Sequence, residues 1–538
     1  MGLVLRLDIA ARDLSSPHKD ENEIVEQAAA FLGGDLRFHF LKYGPLTMYI
    51  VAGLYRLVAL LRGQSALEYA SYVFFEGVQH YYIARAVCAV SLSIAGLGAA
   101  LVLLRQSGPI AGVAAAISLG LPGVEILTTG FTRTDTMQAA FQTGCLLALM
   151  IASSSNSRRS WLAAGLCAGC AIAAKPLPAL LVLPCLPVAS WFASKHAAQP
   201  AEAALPLRLR RSAFGPWLWL SLPAAAAAAV LGNPAMLNVR HFLKQQIETV
   251  TLHSSEQVSW VRQDVSEVVL GLGTPFLVLA ALGWAVALFS RKPTRVLPAL
   301  FLALYLAAFW GRAARNYYMI APAMAAGLLL AEGAAALDGA LRRYFSTPLE
   351  RRARLRWLQR SIAPGLIVLA LWAPFSRLVE GRRGLGTVTQ ARNWITENIP
   401  PETKIFHVGW WPNGPRLVAM NRELQATWGD YFDYGRNRYP FLKEAFALGY
   451  ERYARSGGRR YDIAVYDGRP EPRKRRRSPR WLTDSLAKRA RKAGQQYIVL
   501  AGFRGADVLG LGYPWFKEAT LKKQVGAIAI FALEGPPG

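Results

Sequence analysis

Long stretches without charged side chains constrain this chain more than any other feature. Runs of about 17–25 apolar residues can cross a bilayer as a helix, and we identify about eleven such segments. Charged residues make up only 18% of the sequence, against roughly 25% in soluble domains, which argues against one large soluble core. The sequence therefore predicts a polytopic α-helical membrane protein. The clearest segments are Ile83–Leu104, Ser160–Ala174, Pro176–Ala193, Phe214–Gly232, Val268–Ser290 and Tyr317–Ala331.

The excess of positive charge indicates which loops face the cytoplasm. The net charge is +27, and the basic residues crowd into a few of the loops between apolar segments. Cytoplasmic loops are enriched in Lys and Arg, so we assign these loops to the inside and need no nucleic acid partner to explain the charge. The basic loops are 158–159, 208–211, 291–295 and 342–360. The outer side then receives the loops around Asp20 and Asp135, the loops 233–267 and 311–316, and about 160 C-terminal residues.

A polar stretch precedes the first long apolar segment and forms a predicted outer loop over residues 14–82. It holds Asp20-Glu21, then apolar residues at helical spacing up to Leu32, and then Lys42-Tyr43-Gly44-Pro45. The spacing predicts a short amphipathic helix that lies along the membrane surface and ends at Gly33-Gly34. The apolar residues before this loop are too few to cross a bilayer, so we expect the first span to be truncated.

Six short motifs occur in register over roughly residues 14–335, on the predicted side of the membrane. They are Asp20-Glu21 with Lys42–Leu46, Ala84–Ala89, Thr132–Thr136, Ala164–Lys175, Gly232–Leu237 and Arg315–Pro322. These motifs resemble those of the C-superfamily membrane glycosyltransferases, in particular the protein-mannosyltransferase and aminoarabinose-transferase families. This sequence has Lys19 and Gly44 where those families often have proline. The difference concerns the class of acceptor more than the class of reaction.

The resemblance implies that the chain transfers a sugar from a polyprenyl-phosphate donor to a lipid, glycan or protein acceptor, with inversion at the anomeric carbon. It also implies a place in a bacterial cytoplasmic membrane, among membrane lipids. An acceptor hydroxyl needs a general base, for which Asp20 is the candidate, with Glu21 orienting the acceptor. The leaving phosphate needs cations, for which Lys42, Arg85 and Arg315 are the candidates.

Three further residues are candidate substrate ligands: Asp135, Tyr43 and Tyr317. Asp135 lies at an outer helix end and can bind the sugar, a metal or one of the cations. No histidine has ligand spacing to a second His or Cys, so the sequence predicts no metal site and leaves a divalent cation open.

Each candidate also has a purely structural interpretation. Asp20 and Glu21 can solvate a loop or cap a helix, and Lys42 can extend its ammonium group to the interface. The arginines at helix ends, Arg85, Arg133 and Arg315, are of a kind that commonly anchors to lipid headgroups. Asp135 can form a salt bridge to Arg133 or to another arginine.

The sequence changes character near residue 381, and we predict a separate extracytoplasmic α/β domain over residues 381–538 after a transmembrane domain over residues 1–380. Short runs rich in Val, Ile and aromatic residues alternate there with helical patterns. The predicted strands are Lys404–Val408, Asp462–Tyr466, Gln496–Leu500 and Gly526–Ala532, and the predicted helices are Thr389–Asn398, Pro440–Arg455 and Pro479–Ala493. The basic run Pro472–Arg480 is interpreted as a solvated loop, or as a contact with anionic lipid headgroups.

A transporter or flippase of lipid-linked sugars is the alternative class. Secondary transporters often contain internal repeats and helices that glycine or proline breaks near the middle of the membrane. The sequence shows no internal repeat, and its acidic residues cluster in the predicted outer loops. These features favour a glycosyltransferase over a transporter.

Overall fold

The structure is a computed structural model, and its described part comprises residues 2–10, 19–34, 36, 44–75, 78–120, 132–196, 217–244, 246–247, 274–309, 320–344, 365, 367–368, 387–409, 417–420, 439–466, 490, 492, 494–501, 519–525 and 528–533. Its helices are α1 (Gly2–Ala10), α2 (Lys19–Phe31), α3 (Leu46–Leu61), α4 (Ala66–Ser71), α5 (Val78–Ser107), α6 (Pro109–Gly120), α7 (Thr134–Ser155), α8 (Arg158–Ala174), α9 (Pro176–Ala179), α10 (Cys185–His196), α11 (Leu218–Gly232), α12 (Thr274–Leu288), α13 (Pro293–Phe309), α14 (Ile320–Tyr344), α15 (Thr387–Asn398) and α16 (Pro440–Arg455). Its strands are β1 (Lys404–Gly409), β2 (Val418–Ala419), β3 (Arg460–Tyr466), β4 (Tyr497–Ala501), β5 (Ala519–Val525) and β6 (Ile528–Leu533).

The chain divides into two compact units. One, called the helical unit here, comprises Met1–Ala10, Arg37–Val51 and Ala84–Arg383. The other, called the mixed unit, comprises Ala11–Leu36, Ala52–Ile83 and Gly384–Gly538.

Several described helices are long and apolar enough to cross a membrane. Four meet this condition, or up to five if the pair Thr274–Leu288 and Pro293–Ala308, which is bent by 111°, counts as one span. The shorter apolar helices are Leu46–Leu61, Pro109–Leu119 and Leu218–Gly232. The prediction of a polytopic α-helical membrane protein is therefore confirmed at this coarse level, while the number of about eleven spans stays a prediction.

Small residues let the helices of the helical unit approach closely. A Cβ atom at Gly165 of α8 would lie 2.2 Å from the Ser221 carbonyl oxygen of α11, and one at Gly169 equally close to the Ala225 carbonyl oxygen. Gly283 lets α12 approach α14 equally closely, because a Cβ atom added there would lie 1.9 Å from a backbone oxygen of α14. Helices in a bilayer associate largely through such packing, because lipid supplies no hydrophobic driving force between them.

A buried ionic cluster joins three helices of this unit. Glu332 of α14 has no exposed surface, and it accepts hydrogen bonds from Arg295 Nε at 2.8 Å and from the Ser107 hydroxyl. Ser107 closes α5, and Arg295 lies in the first turn of α13. Because an unpaired carboxylate is costly inside a bundle, these partners fix the ends of α5 and α13 against α14.

The mixed unit contains a six-stranded sheet in the order β2-β3-β1-β4-β6-β5. Strand β1 pairs in parallel with β3 and β4, whereas β6 pairs antiparallel with β4 and β5. The four strands predicted from the sequence coincide with β1, β3, β4 and β6. Strand β2 spans two residues and β5 carries exposed lysines, so neither shows the apolar pattern on which strand prediction depends.

Helix α16 of the mixed unit packs on α4 and on the end of α2. A Cβ atom at Gly449 would lie 2.4 Å from the Ser71 carbonyl oxygen, and one at Gly33 would lie 2.5 Å from the Phe441 ring. Arg452 Nη2 lies 2.7 Å from Glu68 Oε1, and its hydrogen bond lowers the pKa of that carboxyl group. An aromatic cluster surrounds this contact and comprises Phe74, Phe75, Phe446, Tyr450 and Tyr453.

This packing overturns one sequence prediction. Helix α2 ends before Gly33 as expected, but most of its described polar side chains are buried. Glu21, Glu26 and Gln27 are buried along with Ile24 and Ala28, and only Glu23 is partly exposed. The amphipathic pattern predicted a helix lying along the membrane surface. The structure instead buries α2 within the mixed unit, and the contact between Gly33 and α16 is part of the reason.

We predict that His407 makes the stability of the sheet depend on pH. Its ring is fully buried in β1, and desolvation lowers its pKa from 6.5 to about 4. Between these values the unfolded chain binds a proton that the folded chain does not, so stability falls as the pH drops from 6.5 to 4. The loss amounts to roughly 3 kcal/mol at most. Denaturant titration in detergent at both pH values, with tryptophan fluorescence as the probe, measures it.

The matched variants are His407→Leu, which removes the buried ring, and His241→Gln, which removes an exposed one. His407→Leu should lose most of this pH dependence, and His241→Gln should keep it. Equal pH dependence in wild type and His407→Leu would contradict the assignment.

Candidate active site

A buried ion pair forms the centre of the candidate site in the helical unit. Lys175 Nζ lies 2.5 Å from Asp135 Oδ1, and the two side chains are only 7% and 6% exposed. Lys175 occupies the break between α8 and α9, in an extended conformation with φ −157° and ψ 103°. Proline disfavours the helical conformation of the residue before it, and Pro176 follows, so the sequence itself ends α8 at this lysine.

Asp135 belongs to the first turn of α7, where backbone N–H groups have no partner within the helix. The residue before this helix, Arg133, has φ −140° and ψ 141°, and its side chain makes no capping hydrogen bond. A carboxylate in this turn is stabilised by the positive end of the helix dipole, and the ammonium group of Lys175 adds to that effect. The helix terminus and the ion pair therefore form one polar centre.

The start of α3 lies directly on the end of α8. The Gly44 backbone N–H donates to the Ala174 carbonyl oxygen at 2.9 Å. A Cβ atom at Gly44 would lie 1.6 Å from the Ala173 carbonyl oxygen, so only glycine allows this approach. This contact brings the chain immediately after Tyr43 next to Lys175.

Helix α5 contributes a buried arginine to the same region. Cys88 Sγ donates to the Arg133 carbonyl oxygen at 3.6 Å, which places α5 beside the start of α7. Arg85, one turn earlier on α5, is 1% exposed and donates from Nη1 to the Ala10 carbonyl oxygen at 3.5 Å. Among the described residues of this region, the cations Arg85, Arg133 and Lys175 thus accompany the carboxylate of Asp135, a composition that favours an anionic ligand.

The end of α11 completes the site. A Cβ atom at Gly232 would lie 2.6 Å from Ala173 Cβ and 3.3 Å from a methyl group of Leu46. Asn233 follows directly and is 1% exposed. The starts of α3, α5 and α7 and the ends of α8 and α11 therefore meet in one place. Four of these five helix ends, all except the end of α8, had been assigned to the outer side from the loop charges.

Two buried side-chain amides, Gln138 and Gln142, lie next to the site along α7. Gln138 Nε2 donates to Gln142 Oε1 at 2.9 Å, and Gln142 Nε2 donates to the Pro178 carbonyl oxygen at 2.9 Å. Gln138 and Gln142 follow Asp135 by three and seven residues and so share its face of the helix. The hydrogen bond from Gln142 to the Pro178 carbonyl oxygen connects α7 to α9, the helix that follows Lys175.

The structure places the predicted site residues unequally. Arg85 and Asp135 lie in the region just described, whereas Glu21 is fully buried in the mixed unit, where its neighbour Asn22 accepts a 2.9 Å hydrogen bond from Tyr81. The backbone of Asp20 lies in the first turn of α2. The Asp20 side chain and the predicted residues Lys42, Tyr43, Arg315 and Tyr317 lie outside the described part.

Sequence reasoning missed Lys175 as a site residue and proposed the wrong partner for Asp135. The expected structural partner was Arg133 or another arginine, but the ion pair is with Lys175. The available signal was a lysine between an apolar helix and the sequence Pro176-Leu177-Pro178, because a cation at that depth requires a partner. The sequence motif Ala164–Lys175 was interpreted only as the end of a helix.

Comparison with known proteins supports the fold assignment. No family model matches the chain, and no curated protein matches it in sequence. The crystal structure of ArnT from Cupriavidus metallidurans bound to undecaprenyl phosphate is similar, with a TM-score of 0.50 and 15% identity over 99% of this chain and 98% of that one. The apo ArnT structure gives a TM-score of 0.48 at 14% identity, over 99% and 97% of the two chains. The Archaeoglobus fulgidus oligosaccharyltransferase gives 0.44 at 12% identity, over 93% of this chain and 69% of that one.

The chain therefore has the fold of ArnT, in agreement with the resemblance that its sequence motifs showed. At this level of identity the similarity to ArnT establishes the fold, and function has to be argued from the site itself.

We predict that Gly44→Ala destabilises the helical unit. The new methyl group overlaps the Ala173 carbonyl oxygen, so α3 has to move away from α8, and the cost should be about 1–3 kcal/mol or more. Gly53→Ala is the matched control, because Gly53 is on α3, which begins two residues after Gly44, and a Cβ atom there meets nothing within 4 Å. Thermal unfolding in detergent measures both variants, and equal melting temperatures would contradict the close approach.

We also predict that the two halves of the ion pair depend on each other. Lys175→Met leaves the buried carboxylate of Asp135 unpaired and should cost about 3–5 kcal/mol, whereas Asp135→Leu combined with Lys175→Met should recover much of that loss. The exposed Lys443→Met is the control. Denaturant titration of these proteins and of Asp135→Leu alone measures the coupling, and strictly additive effects would argue against the pair.

Proposed function

We propose that this protein transfers a sugar from a polyprenyl-phosphate donor to an acceptor at the outer face of a bacterial cytoplasmic membrane. The observation that carries the proposal is the buried ion pair of Asp135 with Lys175, together with the buried side chains of Arg85 and Arg133 on neighbouring elements. The similarity of the whole chain to ArnT, which was crystallised bound to undecaprenyl phosphate, supports a lipid phosphate as the ligand.

The cations suit the leaving group of such a reaction. When the bond between the anomeric carbon and the phosphate oxygen breaks, the electron pair stays on the phosphate, and nearby arginines stabilise the charge that develops. Arg85 and Arg133 are buried beside the first turn of α7, whose free N–H groups also favour an anion. We propose Lys42 and Arg315 as further phosphate ligands, and Asp135, Tyr43 and Tyr317 as ligands of the rest of the substrate.

The attacking oxygen requires a base. We propose that Asp20 removes the proton of the acceptor hydroxyl while that oxygen bonds to the anomeric carbon from the face opposite the phosphate, which inverts the configuration. Glu21 is proposed to orient the acceptor. Both residues lie in the first turn of α2, and Glu21 is buried, as a positioning role requires. The mixed unit, including its sheet, is proposed to be extracytoplasmic.

Transport of a lipid-linked sugar is the second candidate, and one observation favours it. The helix break at Lys175 and the amides of Gln138 and Gln142 that lead to the Pro178 carbonyl oxygen resemble the proline-interrupted helices of transporters. Donor consumption distinguishes the two functions, because a transporter leaves the bond between the sugar and the phosphate intact.

We expect the purified protein in detergent to consume radiolabelled polyprenyl-phosphate sugar when it is offered lipid, glycan and protein acceptors. Asp20→Asn should lower the rate by about 10²–10⁴, because the acceptor proton then has no base. Glu451→Gln, an exposed change on α16, should leave it unchanged. A wild-type protein that consumes no such donor with any acceptor class would refute the proposal.

A further inference from the structure

Several polar atoms in the candidate site are buried without a hydrogen-bond partner in the described part of the chain. They are the hydroxyl oxygens of Thr47, Thr134 and Thr136 and the amide oxygen of Asn233. All four residues are at most 1% exposed. A buried polar atom without a partner costs about 1–3 kcal/mol, so several of them in one place indicate that a polar ligand completes them.

Two of these groups converge on the end of α8. Thr47 is in the first turn of α3, three residues after Gly44, whose N–H group bonds to the Ala174 carbonyl oxygen. Asn233 follows Gly232, which lies against Ala173 and Leu46. Both therefore lie within about one helical turn of Lys175, the residue that closes α8.

The groups without a partner are neutral. Arg85 lies on α5, and Arg133 precedes α7, where its carbonyl oxygen accepts a hydrogen bond from Cys88 of α5. Thr47 on α3 and Asn233 after α11 are uncharged, and the ammonium group of Lys175 is already engaged by Asp135. The site thus contains buried arginines and, separately, neutral hydrogen-bonding groups next to a closed ion pair.

We propose that Thr47 and Asn233 bind the hydroxyl groups of an uncharged donor sugar. This proposal rests on the proposed function, and it assigns the sugar ring to these neutral groups when the arginines bind the phosphate. The amide oxygen of Asn233 accepts a hydrogen bond from a ring hydroxyl, and the Thr47 hydroxyl donates or accepts one. An amino sugar is disfavoured, because neither group is a carboxylate that could pair with its ammonium group, and Asp135 is already paired with Lys175.

The opposite interpretation is that these polar atoms are merely tolerated in the protein interior. In that case Thr47→Val and Asn233→Leu, which keep the volume and remove the unpaired oxygen, should leave ligand binding unchanged and should not lower stability. The two interpretations therefore predict different binding results for the same proteins.

The experiment compares the binding of two probes, undecaprenyl phosphate and undecaprenyl phosphate that carries glucose, to the full-length protein in detergent. Each of Thr47→Val and Asn233→Leu should weaken binding of the glucose-bearing lipid by about 3- to 10-fold, the equivalent of one hydrogen bond, and leave the bare lipid unchanged. Thr47→Ser keeps the hydroxyl and should bind like wild type, which guards against an effect of misfolding.

Thr143→Val is the matched control. Thr143 is equally buried on α7, but its hydroxyl already donates to the Ala139 carbonyl oxygen at 2.8 Å. This variant should bind both lipids like wild type. Glucosamine in place of glucose should weaken binding to wild type, and tighter binding of the amino sugar would overturn the assignment to an uncharged sugar.

The results separate this inference from the function on which it rests. If the wild type does not bind the bare lipid phosphate, the proposed function fails. If it binds both lipids while Thr47→Val and Asn233→Leu keep wild-type affinity for the glucose-bearing one, only the sugar subsite is overturned.

Discussion

The ion pair between Asp135 and Lys175 is the interaction on which the candidate site depends. Neither charge is stable alone at that depth, so each requires the other in place. Lys175 can reach Asp135 because Pro176 ends α8 at the lysine, and Asp135 is favoured by the start of α7. A break in one helix and the beginning of another thus produce a polar centre within an otherwise apolar bundle.

Close backbone contacts bring the remaining groups to that centre. The absence of a side chain at Gly44 allows α3 to meet the end of α8, and Gly232 does the same for α11. These contacts place Thr47 and Asn233 near the ion pair, while Arg85 approaches from α5. Which charged and neutral groups come together therefore follows from which helix ends meet.

The mixed unit shows how the C-terminal part of the chain acts on a helix that is distant in sequence. Helix α16 packs on α4, is held there by Arg452 and Glu68, and lies against Gly33 at the end of α2. The helix that carries Asp20 and Glu21 is thereby fixed by residues more than four hundred positions later. Helix α16 thus holds the proposed catalytic helix in place.

The sequence by itself predicted the membrane class, the fold that ArnT shares, four of the strands, and Arg85 and Asp135 as candidate residues that the structure places in one region. It did so because apolar length, loop charge and alternating patterns are local properties. It did not reveal the pairing with Lys175, the burial of α2 or the convergence of Thr47 and Asn233. These depend on which helix ends touch, and a bilayer leaves that choice to packing between residues far apart in the chain, so only the tertiary structure decided them.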